Sequence, residues 1–154
     1  MNANPTIEIL EARPEDAPAI AHIHMTARRA AMPCLHRPHS DSETSMWFAG
    51  VVADRARAWW VARPGSQIAG YMLLNGEDLD HLYVLPEWQR RGIGLSLLNK
   101  AKSLSPRRLA LSTFQKNTNA RAFYEAWGFR IVGFTDGKNE EREPDVQYVW
   151  GDDR

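Results

Sequence analysis

The chain has 154 residues, 44% of them hydrophobic, and its 19 basic residues balance 19 acidic ones. That size predicts one packed domain over 1–154, and zero net charge gives no global electrostatic case for nucleic acid or an anionic membrane as a partner. A single cysteine, Cys34, excludes an internal disulfide and suits a reducing cytoplasm; without an apolar leader or a run of about eighteen apolar residues, neither export nor a membrane span is expected.

Thr6 to Leu10 alternates enough to predict a first strand. Arg13-Pro14-Glu15-Asp16 then opens a helix, with proline early, acids in the first turn, and Ile20, Ile23, His24 and Ala27 along one face. Ala30 to His39, with Pro33, Pro38, His36 and His39, reads as an irregular loop. Ser40 and Glu43 form a capping box for a second helix through Met46, Trp47, Val51 and Val52. Arg57 to Val61 is the next strand and Gln67 to Leu74 its partner, while Asn75-Gly76 signals a hairpin into a strand running to Leu85. A helix to about Ser103 follows, and the short apolar Leu109 to Thr113 fits a parallel strand reached by that helical crossover. A further helix starts at Thr118 or Asn119 and stops at Gly128; Phe129 to Thr135 and Val146 to Trp150 make a final hairpin.

Strand, turn and helix meet in Leu85-Pro86-Glu87-Trp88-Gln89-Arg90-Arg91-Gly92-Ile93-Gly94-Leu95. The first amides of a helix have no intrahelical partner and point along the positive end of its dipole. Gly92 and Gly94 keep Cβ atoms out of the way, and Arg90 and Arg91 add positive charge, so the junction suits a phosphate. A phosphate-binding loop of the Walker type needs Lys-Ser/Thr after the glycines, where Leu95-Ser96 stands. A dinucleotide fold needs a third glycine where Leu97 stands.

The string Gln89-Arg90-Arg91-Gly92-Ile93-Gly94 resembles the coenzyme A signature, Gln/Arg-x-x-Gly-x-Gly/Ala, of the GCN5-related N-acetyltransferase superfamily. Farther on, Asn117-Thr118-Asn119-Ala120-Arg121-Ala122-Phe123-Tyr124, followed by Gly128-Phe129, is similar to that family's Asn-x-x-Ala-x-x-Phe-Tyr-x-x-x-Gly-Phe. The resemblance covers roughly Ala58 to the C-terminus. It implies an α+β fold: a central, mostly antiparallel twisted sheet of six to seven strands, flanked by about four helices. A splayed V is implied between the fourth and fifth strands, where Leu82, Tyr83 and Val84 offer their backbone to the pantetheine arm of acetyl-CoA. Gln89, Arg90, Arg91, Gly92, Ile93, Gly94, Leu95, Asn117 and Tyr124 are the further cofactor-binding positions it implies. No metal is expected. A homodimer is possible by the same resemblance, and Arg29, His36, His39 and Trp47 are implied for the acceptor groove; the plain alternative is a surface loop with ordinary histidines.

Acetyl transfer to an amine needs the amine neutral, and a lysine-like amine near pKa 10.4 is neutral in only about one molecule in two thousand at pH 7. Tyr124 matches the family's thiolate-protonating tyrosine; otherwise it packs beside Phe123 and Trp127. Period-two alternation places Asp78 and Asp80 on the face of Leu82 and Val84. The base role is what the resemblance implies: they match positions where histone acetyltransferases of the superfamily carry a glutamate and arylalkylamine acetyltransferases two histidines, and would hold a water that relays the proton. Either is a useful base only if burial or mutual repulsion raises its pKa, and Asp78 also fits as a hairpin acid in water. His81 falls on the opposite face, as core or surface. Where bacterial ribosomal-protein acetyltransferases carry a fifth-strand glutamate, this chain has Ser112. The resemblance thus implies an acetyl-CoA-dependent N-acetyltransferase of a small molecule or peptide. A non-catalytic acyl-CoA-binding module or a nucleotide-binding domain would use the same glycine turn without a proton route.

Overall fold

The computed structural model describes residues 6–54 and 56–152. Its elements are β1 Glu8–Glu11, α1 Ala17–Ala31, α2 Asp41–Val52, β2 Ala58–Arg63, β3 Gly70–Asn75, β4 Asp78–Val84, α3 Ile93–Leu104, β5 Arg108–Phe114, α4 Thr118–Ala126, β6 Arg130–Phe134 and β7 Asp145–Gly151. The predicted elements are present, with ends displaced by a few residues. Before α1, Pro14–Asp16 forms a 3-10 turn whose capping contact is Arg13 N–H donating to Asp16 Oδ2 at 2.8 Å. The capping box at α2 is built as read: Ser40 Oγ accepts from Glu43 N–H, and Glu43 Oε1 accepts from Ser40 N–H, both at 3.1 Å.

The seven described strands form one sheet in the order β1-β2-β3-β4-β5-β7-β6. All neighbours are antiparallel except β4 and β5, which pair in parallel. That pairing has a single register position, Asp78↔Ala110, supported by Ala110 N–H donating to Glu77 O at 2.8 Å. Beyond it the two strands separate, which is the splayed V of the expected fold.

Each face of the sheet carries its own core. On one, Ile93, Leu97, Leu98 and Ala101 of α3 and Tyr124 of α4 pack over Leu79, Val84, Leu109 and Tyr148. On the other, Ile20 and Ile23 of α1 and Phe48 and Val52 of α2 cover Trp59, Val61, Tyr71 and Leu73. Helix spacing of the apolar residues assigns each face to its helices.

One expectation about β4 is corrected. Leu73 pairs with His81 but Leu74 pairs with Leu79, which leaves Asp80 as an extra residue, a β-bulge. Simple alternation fails there: Leu79 and Leu82, three apart, pack into the same core. Asp78, next to Leu79 and ahead of the bulge, therefore does not share the face of Leu82 and Val84. His81 and Tyr83 face α1 and α2, in ring contact with His24 at 5.3 and 5.1 Å between centroids.

Candidate active site

The end of β4 and the start of α3 are tied together by one side chain. Leu85 N–H turns to Ala69 O, 2.8 Å away on the β3 side, whereas the Val84 carbonyl accepts from Gln89 Nε2 at 3.1 Å. Successive residues of a strand present their backbone to opposite edges, so the Val84 edge faces the V. Gln89 thus orients the strand end, a use of its side chain that the motif alone does not reveal.

The turn after Trp88 reverses direction through left-handed backbone at Arg90 (φ 62°) and Gly92 (φ 86°). Gly92 is the N-cap of α3, and a Cβ there would meet no atom within 4 Å, so this side of the turn is open. At Gly94 a Cβ would touch Phe123 at 3.5 Å, which makes that glycine the closer approach of α3 to α4. The helical ladder begins with Ser96 N–H donating to Gly92 O at 3.0 Å. The amides of Ile93, Gly94 and Leu95 precede it and form the bare positive end of the helix. The Ile93 side chain is buried in the core, so that residue offers only backbone. Arg90 and Arg91 are exposed, and the Arg91 guanidinium lies 5.0 Å over the Trp88 ring. These residues fit a diphosphate: helix-start amides without intrahelical partners, a turn open at Gly92, and two exposed arginines within that turn.

Tyr124 is buried on α4, with ring centroids 5.2 Å from Phe123 and 5.4 Å from Phe129. Burial pushes its phenol above the ordinary value and the neighbouring Tyr83 adds to this, so it holds its proton across the neutral range. Asn117 Oδ1 accepts from Ala120 N–H at 3.2 Å and caps the helix that carries Tyr124. Asp78 and Asp80 are both exposed, at the paired end of the V. Although Asp80 reaches solvent, partial desolvation by its neighbours, then repulsion from Asp78, raises its carboxyl, the direction a base requires.

Across the sheet lies a cavity of about 600 Å³ between α1, α2, the loop between them and the β6–β7 loop. Arg29, His36, His39 and Trp47 all line it. The sequence reading missed four more residues around it: His24, Arg28 and Glu141 on its wall and Tyr71 behind them. Arg28 donates to Glu141 Oε1 at 3.3 Å and to His24 Nε2 at 3.1 Å. His24 Nδ1 and His81 Nδ1 each lie 2.9 Å from the Tyr71 hydroxyl. Burial is the main reason the histidines stay neutral, His24 down to about pH 3 and His81 to about pH 4. The i,i+4 spacing of His24 and Arg28 was the only signal in the sequence. His81 belongs to this wall and not to the plain core or surface. Among the described residues, no group of three His, Cys, Asp or Glu side chains is placed to hold a metal ion.

Comparison with known proteins bears on the family and the fold. The family model for the acetyltransferase (GNAT) domain matches residues 55–131. Peptidyl-lysine N-acetyltransferase YjaB of Salmonella typhimurium is 35% identical over 78 residues, 51% of this chain and 53% of that protein; this chain spans about half the length of that relative. Probable N-acetyltransferase Rv2775 of Mycobacterium tuberculosis is 32% identical over 145 residues, covering 84% of this chain and 83% of the relative. The crystal structure of PaiA N-acetyltransferase from Thermoplasma acidophilum, in complex with coenzyme A, superimposes with a TM-score of 0.72 over 96% of this chain and 99% of that one, at 17% identity. The matched domain model, the relative aligned over most of its length and the sheet parted at β4–β5 lead to one conclusion: the chain belongs to the GNAT acetyltransferase family.

Proposed function

We propose that the protein is an acetyl-CoA-dependent N-acetyltransferase that passes the acetyl group directly to a primary amine of a small molecule or peptide. The observation that carries this is the end of β4, where the bare α3 amides meet the open Val84 edge, with Tyr124 buried in the core that Val84 shares. When bound, acetyl-CoA supplies an activated acyl group on a thiol leaving group. The α3 N-terminus, with Arg90 and Arg91, holds the diphosphate, and the Leu82 to Val84 edge holds the amides of the pantetheine arm. The Val84 N–H donates to the carbonyl oxygen as charge builds on it. Tyr124 keeps its proton at neutral pH and delivers it from Oη to the thiolate sulfur, whose conjugate acid, like a cysteine thiol, has a pKa near 8.5. Asp80, re-aimed by the bulge, accepts the amine proton through water, and Asp78 raises its basicity.

The experiment is calorimetric titration with coenzyme A, followed by radiolabelled acetyl-CoA with a panel of amines. Binding and label transfer support the reading. No binding removes it, and binding without transfer to any amine favours a non-catalytic acyl-CoA-binding module.

A further inference from the structure

The wall of the acceptor cavity contains a chain of hydrogen bonds whose direction can be worked out. It runs from Glu141 through Arg28, His24 and Tyr71 to His81, with steps of 3.3, 3.1, 2.9 and 2.9 Å. A guanidinium has only donors, so Arg28 donates to His24 Nε2 and that nitrogen must be an acceptor. His24 then carries its single proton on Nδ1 and donates it to the Tyr71 oxygen. The Tyr71 hydroxyl has one hydrogen, and the only remaining use for it is donation to His81 Nδ1. His81 must therefore carry its own proton on Nε2.

Reversing the chain would set an N–H of His24 against an N–H of Arg28. Protonating His81 fails as well, because Nδ1–H would force the Tyr71 hydrogen onto a His24 nitrogen that already carries one. Tyr71 is fully buried, so Nδ1 of His81 faces inward. His81 also lines the cavity, stacked on Trp47 at 6.3 Å and 27°. The nitrogen on the far side of its ring, Nε2, is the one left for the cavity.

We propose that Arg28 sets the direction of this chain and so makes His81 a neutral Nε2–H donor in the acceptor pocket, which selects amines carrying a carbonyl or carboxylate oxygen. The selectivity rests on the acetyltransferase reading; the direction of the chain does not. Arg28 is a positioning residue that acts through two histidines and a phenol, and His81 cannot serve as the base while the chain is intact.

The test is long-range ¹H–¹⁵N correlation NMR on the full chain labelled in histidine, assigned with His24→Gln and His81→Gln. The expected spectrum shows His24 protonated on Nδ1 and His81 on Nε2 at pH 7. Arg28→Lys, also a donor without acceptors, keeps that pattern, while Arg28→Met gives mixed tautomers. A wild-type His81 protonated on Nδ1, or an unchanged pattern in a folded Arg28→Met protein, overturns the proposal. For selectivity, kcat/KM is compared for glycinamide and propylamine. Because their basicities differ, the reading is the change in the ratio: a fall of roughly threefold to tenfold in Arg28→Met, about one hydrogen bond's worth, and none in Arg28→Lys. An unmoved ratio overturns the selectivity while leaving the tautomers standing. If the wild type acetylates neither of these two amines, the selectivity is overturned, the catalytic reading is decided by the wider amine panel, and the NMR pattern alone decides the chain's direction.

Discussion

The two sides of β4 are built by opposite means. On the α3 side, the proposed coenzyme A site rests on backbone: amides, a carbonyl held by Gln89 and two left-handed residues, all between Val84 and Ser96. On the α1/α2 side the cavity wall rests on side chains drawn from His24, Arg28, Tyr71, His81 and Glu141, with bonded partners up to 113 positions apart. A site made of local backbone tolerates change in most side chains and is visible as a motif. A site made of distant side chains is rewired by any one of them, which suits a pocket that must vary with its acceptor.

That contrast can be broken at several points. Tyr124→Phe should lower kcat roughly 10²- to 10⁴-fold while calorimetric affinity for coenzyme A stays the same, because only the proton is lost. Unchanged turnover would mean that water protonates the thiolate. Asp80→Asn should cost about 10²-fold in kcat. Since the Asp80 carboxyl is raised, the acid limb of the wild-type pH–rate profile should lie above the ordinary carboxylate range. A profile flat through that region would remove Asp80 as base.

Smaller effects concern stability and the rim. The folded pKa values of His24 and His81 lie below their usual 6.5, so both contribute stability above pH 6.5 that is lost as pH falls, through about 4 for His81 and about 3 for His24. The unfolding free energy from urea titrations should fall with acid at roughly 1.4 kcal/mol per pH unit for each histidine within its window. His24→Gln, which can still accept from Arg28 and donate to Tyr71, should remove one share of that slope; an unaltered slope would show that His24 is charged in the fold. At the exposed rim, the Glu140 hydrogen bond raises the His39 pKa. Glu140→Gln should bring the His39 NMR titration midpoint down toward its usual value, and no shift would show that the contact is not kept in solution.

Most of the scaffold was legible because its signals are local. Ser40 and Glu43 announce α2, Asn75-Gly76 the hairpin, and the glycines around Ile93 the start of α3. The bulge at Asp80 was not legible: it depends on where β3 runs out of register, and a period of two has no way to announce an extra residue. Its consequence was a wrong face for Asp78. The wall of the α1/α2 cavity was half legible. The resemblance to the superfamily pointed to His36 and His39, but apart from the spacing of His24 and Arg28 nothing in the sequence pointed to Arg28 or Tyr71. Only folding shows that both point at histidines.

The single rung shared by β4 and β5 has a mechanical meaning. The sheet is two leaves, one of four strands and one of three, joined at a spine one residue deep, Asp78 to Ala110. A molecule bridging the wedge would act as stitching, so the protein's resistance to heat should report occupancy directly. A ligand at a hundred times its dissociation constant adds about 2.7 kcal/mol to unfolding, and slower amide exchange should appear first along the facing margins of the two leaves.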